Sequence, residues 1–509
     1  MRYIKKNISI ISLLLLLFVF STNNLFAQII FPRAFAIATD DLGWNHGGSL
    51  GDSEGPWRVG VRRDFDIRDY KPFVEVGKAV GVRFQTLFVL AEMDRENVCR
   101  NYPTTTQFGK NFDNSANVND MQLEIMKYVK DNSAYMEFGL HGVGHEHWID
   151  GKRDRAEWYD LYGDKPWSEQ DSRDHLKCFA EIMAQYGFTK ENGQSFPESH
   201  VPTAYGHYWN PNGEYSTGKI MSEYGVKYIN TLFEEITELN PPIEFGGGFD
   251  HGVLVINRYN YGNPWYEMAS LPKEKLEEYK TDIIESHWAN WLATDDFLQP
   301  ELNQQWIAYF QNIQKSEKHY LAKNTEQLHS QWLYNHFTKI EEKKIGTVDI
   351  DNTNMPKEAY VNNILGNLVL KIKLNDGEHL SSAKLNDGNI AAYFEEFGYG
   401  FIYLPRLQQE KYQLTYTVGK EELPIFVNNT GTYNVYSVNT NENEIDISLR
   451  MYGTQNVLIK TSKPKKVISD NEHLKILSEK YDENKQMLSL EIYGRDMQGE
   501  SGNLKLIFD

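Results

Sequence analysis

Three histidines, His141, His145 and His147, stand within seven residues of the stretch EFGLHGVGHEHWID (Glu137–Asp150). Imidazole is a ligand for divalent transition metals. A site of two histidines and one carboxylate keeps coordination positions open for water or substrate. His141 and His145 have the His-x-x-x-His spacing that would share one face of a helix. Gly142 and Gly144 favour a turn instead, and a turn after a strand also aims both rings inward. The pair by itself is a weak signal. It gains weight from "IATDD", where Asp40 and Asp41 close an earlier apolar run and offer the missing carboxylate.

Those residues need elements to position them. From Phe31 to about Phe337 strand-like and helix-like segments alternate. Ala34–Asp41, Val82–Leu90 and Ala134–Leu140 read as strands. "NVNDMQLEIMKYVKDN" between them opens with an Asn/Asp cap and carries Met121, Ile125, Met126 and Val129 at helical spacing. Later come a helix in "SEQDSRDHLKCFAEIMAQYGF", an extended stretch Ser195–Tyr205, strands in "GVLVINRY" and "TDIIESH", and a helical segment Pro300–Phe337. Repeated βα units predict a parallel sheet, open or closed into a barrel, with the site at the carboxyl ends of the strands. Asp40, Asp41, His141, His145 and His287 all fall at such ends. After about Glu341 short strands take over: Ile445, Ile447, Leu449 and Met451 alternate with polar residues, and Asn-Asp-Gly punctuates turns at Asn375–Gly377 and Asn386–Gly388. Residues 342–509 are expected to form a β-sandwich region of one or two modules that braces the barrel.

The formal charge of −19 argues against nucleic-acid binding, which requires a basic footprint, and leaves open a local basic pocket for an anionic substrate. Arg58, Arg62, Arg63 and Arg68 read as a solvated run paired with Asp64 and Asp66. Arg2, Lys5 and Lys6 precede the apolar run Ile8–Phe20 and a cut site after Ala27, the pattern of a secretory signal peptide over residues 1–27. The run is short for a membrane span, and no cysteine stands at the cut to anchor a lipid. The expected location is therefore periplasmic or secreted, with no span in the mature chain. Cys99 and Cys178, the only cysteines, are open to a disulfide or to two buried thiols. Aromatic residues reach 13 %, with 31 Tyr and 11 Trp, flat faces that suit sugar rings as well as cores.

"IATDD", "LHGVGH" and "IIESH" occur in the order of three motifs of the polysaccharide deacetylase family, which residues 30–300 resemble. The resemblance implies a distorted (β/α) barrel over 28–341. It implies Asp40 as general base, Asp41, His141 and His145 around a divalent metal expected to be zinc, and His287 as general acid. His147 matches nothing in the motif and is open to substrate contact or loop packing. Trp44, His147, Trp209, Arg258 and Trp288 are the candidates for substrate contact.

Two departures stand out. The third motif of the family carries an arginine that orients the base, whereas "HVPTAYGHYW" has none and offers His200, Tyr205 and His207 as further catalytic candidates. The fourth motif, which orients the late histidine, is replaced by "FDHGVLVINRYNYGNPW". With its helpers changed, the chain resembles the deacetylase-like oligosaccharide dehydratases of ulvan-type polysaccharide breakdown. The first expectation is water elimination from the uronic acid at the non-reducing end of an anionic oligosaccharide. The alternatives are carbohydrate deacetylation and glycan binding without turnover.

Overall fold

A computed structural model of the chain describes residues 28–47, 61, 63–233 and 246–509. The signal-peptide reading, Arg58 and Arg62 lie outside these residues.

Seven parallel strands close into a barrel: β1 (Arg33–Leu42), β2 (Phe84–Val89), β3 (Met136–Gly142), β4 (Ser199–His200), β5 (Tyr228–Thr231), β6 (Val253–Tyr259) and β7 (Ile283–His287). Closure comes from β7 pairing back on β1, from Ile283 opposite Ala36 to His287 opposite Asp40. β2, β3 and β7 are buried along their whole length. Burial on both faces is why their sequences show no regular apolar–polar alternation.

The helices that cover the barrel begin and end where their caps dictate. α1 (Lys71–Val80) has Pro72 in its first turn and stops at Gly81, whose φ of +66° suits a residue without a Cβ. α2 (Asp120–Asp131) is capped reciprocally by Asn119 and Gln122, and it buries Ile125, Met126 and Val129. α3 (Glu169–Gln185) starts at Ser168, which accepts from the Asp171 N–H. α4 (Thr217–Tyr224) ends at Gly225. The expected helical segment Pro300–Phe337 is two helices, α5 (Gln299–Lys315) and α6 (Thr325–Phe337). Between them, strand His319–Leu321 lies parallel to the start of β1. The extended stretch Ser195–Tyr205 shrinks to β4 and a short turn at Thr203–Tyr205.

The chain from Lys339 onward forms β-sheets, and the alternating residues Ile445, Ile447, Leu449 and Met451 are buried as their spacing requires. The expected boundary at Glu341 falls inside strand Lys339–Lys344. Strand Ile29–Ile30, before the barrel, pairs with Leu368–Lys373 in the largest C-terminal sheet. One hydrophobic core runs through both parts, joining Ala38, Leu87, Tyr228 and Leu254 to Leu370, Phe401 and Ile447. Polar ties add to it: Arg450 meets Glu326 at 3.0 Å and Glu198 at 2.8 Å, and Gln498 donates to the Phe138 carbonyl at 2.7 Å.

Among the described residues no helix is long and apolar enough to cross a membrane. Many aromatics serve the core. Trp291 stacks on Trp306 with centroids 4.4 Å apart, and Phe73, Phe84 and Phe310 surround Trp291.

Candidate metal centre

Consecutive residues of a regular strand point to opposite faces. Asp40 and Asp41 nevertheless both reach the barrel mouth, because the β1–β2 register shifts between Thr39 and Leu42 and Asp41 adopts a φ of +72°. A bulge that re-aims a side chain beside a site has this form. A second shift, between Phe88 and Val89, lies opposite the end of β3 that carries His141. His145 follows in the loop with a φ of +62°.

The result is a convergent trio. Asp41 Oδ1 lies 3.5 Å from His141 Nε2 and 3.7 Å from His145 Nε2. The three ligand atoms form a group able to hold a metal ion. Metal–ligand distances of about 2.0–2.2 Å in tetrahedral geometry put ligand atoms about 3.4 Å apart, so the spacing fits. The donor atoms fit as well. Asp41 Oδ1 and His141 Nε2 are buried with no hydrogen-bond partner. His141 Nδ1 lies 2.7 Å from the Val201 carbonyl, which fixes the proton there and turns the Nε2 lone pair toward the trio. Burial lowers His145 to about 4, so its ring is neutral and able to ligate. Burial would raise Asp41, but His141 and His145 hold it well below the usual carboxylate range.

Asp40 stands beside the trio, 1 % exposed. Arg258 donates to it twice, Nη1 to Oδ1 at 2.9 Å and Nη2 to Oδ2 at 2.5 Å. Burial would raise Asp40; Arg258, His141 and His287 outweigh it and keep the carboxyl ionised. His287 Nε2 is 3.8 Å from Asp40 Oδ2, and His287 Nδ1 is 3.9 Å from Glu285 Oε1. Glu285 also accepts from the Tyr205 hydroxyl at 2.8 Å, and burial together with Glu285 raises Tyr205 well above its ordinary value.

Several expectations need correction. Arg258 is not a substrate contact. It is buried, and its guanidinium is engaged with Asp40, so Asp40 does have an orienting arginine, supplied by β6 instead of the "HVPTAYGHYW" segment. His147 is packed in the loop: its ring stacks on Trp167 at 3.8 Å and on His175 at 5.3 Å. Trp288 is a core residue that stacks on Phe65 and donates to the Asp69 carbonyl. His200 is buried against Trp158, its Nδ1 is 3.0 Å from the Leu140 carbonyl, and burial pushes it far below the ordinary imidazole value. His207 is buried with Nε2 3.0 Å from Asp250 Oδ2, and Trp209 packs edge-on to it. Trp44 is nearly buried but lines a groove of about 760 Å³ together with Phe108, Gly144, Glu146 and Trp148. Its neighbours in sequence place that groove beside Asp41 and His145. Exposed Trp265 has its ring 6.5 Å from that of His287. Cys99 and Cys178 are free and buried, with sulfurs 3.7 Å apart.

No motif signals Glu285, which lies beside His287 and Tyr205, although strand alternation puts position i−2 on the same face as His287. Compared with known proteins, the sequence matches no family model and no curated protein.

Proposed function

We propose that the protein is a metal-dependent, carbohydrate-active hydrolase that removes acyl groups from sugars. The observation that carries this reading is the Asp40 carboxylate, held in the Arg258 fork and 3.8 Å from His287, beside the Asp41–His141–His145 trio. A divalent cation, for which zinc is the candidate, supplies Lewis-acid polarisation and an activated water when bound by the trio.

The chain's own residues do the rest. Asp40 accepts the proton of the attacking water. A carboxylate kept ionised by Arg258 is a weak base, adequate for an acidified water and poorly matched to a carbon acid. His287, within reach of Asp40 and Glu285, donates a proton to the leaving amine or alcohol. The groove beside Trp44 and the exposed ring of Trp265, near His287, offer apolar faces for sugar rings.

A second reading, water elimination from a uronate-ended oligosaccharide, is favoured by the Tyr205–Glu285 pair. Tyr205 gives the site a further proton-carrying group that acyl hydrolysis does not use. In this reading Asp41, His141 and His145 would hold a cation whose charge would offset the negative charge that develops beside the sugar carboxylate.

Incubating the purified protein with N- or O-acetylated oligosaccharides and with uronate-ended ones separates the readings by mass spectrometry. Acetate release that stops when the metal is chelated is the expected result. Loss of one water with a new ultraviolet-absorbing double bond would replace it with the second reading. Turnover of neither class would overturn both.

A further inference from the structure

The loop after β3 must turn His145 back toward Asp41, and it does so with His145 in the left-handed backbone region, φ +62°. A residue with a Cβ is strained there unless its surroundings hold it. Glu157 supplies the hold. Its side chain is fully buried. Oε1 and Oε2 accept the Val143 N–H at 2.7 and 2.9 Å, and Oε2 accepts the His145 N–H at 3.1 Å. Oε1 also lies 2.8 Å from Nδ1 of His175 on α3, whose Nε2 is 3.0 Å from the Thr104 hydroxyl. With the Thr104 hydroxyl donating to Nε2, the Nδ1–H donates to Glu157, and every donor in this chain finds an acceptor.

Gly142 belongs to the same arrangement. A Cβ on it would lie 2.1 Å from Glu157 Oε2, so only glycine lets the carboxylate reach the loop backbone. The Glu157 N–H donates to Thr203 Oγ1 at 2.8 Å, which anchors the residue to the turn that follows β4.

We propose that Glu157 is a positioning residue for the metal centre: its buried carboxylate sets the Val143–His145 turn and thereby brings His145 to Asp41. The inference rests on the reading of the trio as a metal site. Partners behind the ligands of a metal change affinity by about 10–100-fold when lost. A glutamine at position 157 keeps one acceptor and replaces the other with a donor that opposes the loop N–H groups and the His175 Nδ1–H.

The test is zinc affinity, measured by competition with a chelator on the full chain and compared with thermal unfolding of the metal-free protein. Wild type should bind one zinc, and Asp41→Ala should abolish tight binding. Glu157→Gln should weaken it by about 10–100-fold in protein that is still folded. His175→Phe, which removes the donor behind the carboxylate, should weaken it several-fold, and this variant decides the matter if Glu157→Gln does not fold. Folded Glu157→Gln, or His175→Phe in its place, that binds zinc as wild type does would overturn the positioning role. Failure of wild type to bind zinc, or wild-type binding by Asp41→Ala, would overturn the metal reading and this inference with it.

Discussion

Arg258 and Asp40, 218 positions apart in sequence, form a two-pronged ion pair inside the mouth of the barrel. Both side chains are almost wholly buried. The geometry makes the pair interdependent, since either partner alone would be an uncompensated charge in a dry site. Arg258→Gln should lower kcat/KM by about a hundredfold or more, the usual scale for lost acid–base help. It should also destabilise the fold by about 3–5 kcal/mol, because Asp40 loses its counter-charge. Arg258→Lys keeps the charge without the fork and should fall between. Steady-state kinetics and thermal unfolding on the three proteins check this. Wild-type turnover in Arg258→Gln would remove Asp40 from the chemistry.

Tyr205 separates the two proposed reactions. Its hydroxyl donates to Glu285, and Glu285 approaches the ring of His287. If the reaction is acyl hydrolysis, Tyr205→Phe should change kcat by less than about tenfold, since the hydroxyl is not the acid or the base. A loss of about a hundredfold or more on a uronate-ended substrate, with zinc content unchanged, would support elimination instead.

Acid should destabilise the protein through its buried neutral histidines. Burial lowers His329 to about 4 and His147 to about 3. Unfolded, both titrate near the ordinary value of about 6.5. Between these values the unfolded chain binds more protons than the folded one, so stability falls as pH falls. The contribution is complete above about 6.5 and is lost progressively toward the folded values. The thermal midpoint should therefore drop from pH 7 to pH 4.5, and His329→Gln should flatten that drop. An unchanged slope in the variant would show that His329 is not among the groups responsible.

A chain cut after Glu341 should fail to give a soluble barrel. The cut divides strand Lys339–Lys344 and strips Ile29–Ile30 of its partner. It also removes Arg450 from Glu326 and uncovers the apolar end of the barrel. Each large apolar side chain left bare forfeits about 1.5–3 kcal/mol. Solubility and cooperative unfolding of the truncated protein are the readouts, and a soluble, cooperatively folding fragment would contradict a shared core.

The parallel strands and the candidate Asp41–His141–His145 trio were legible because their signals are local. Apolar runs mark strands, and two histidines and an aspartate stand at run ends. The bulge that admits both Asp40 and Asp41 was not legible, since it depends on register between strands. Arg258 was seen but misassigned: a lone arginine in "VLVINRY" tells that something charged is buried, not which carboxylate it meets. His147 and Trp288 misled in the opposite way. Proximity to a strand end does not reveal whether a ring faces the mouth or packs against Trp167 or Phe65. Position 341 looked like a border because composition changes there, while the core passes through it.

The most direct measurement is X-ray absorption at the zinc edge on the full-length protein loaded with one equivalent of zinc. The account predicts two imidazole nitrogens and carboxylate or water oxygens at about 2.0–2.2 Å. The signal of one imidazole should disappear in His145→Ala. A spectrum with sulfur at about 2.3 Å, or one that His145→Ala leaves unchanged, would contradict the Asp41–His141–His145 centre.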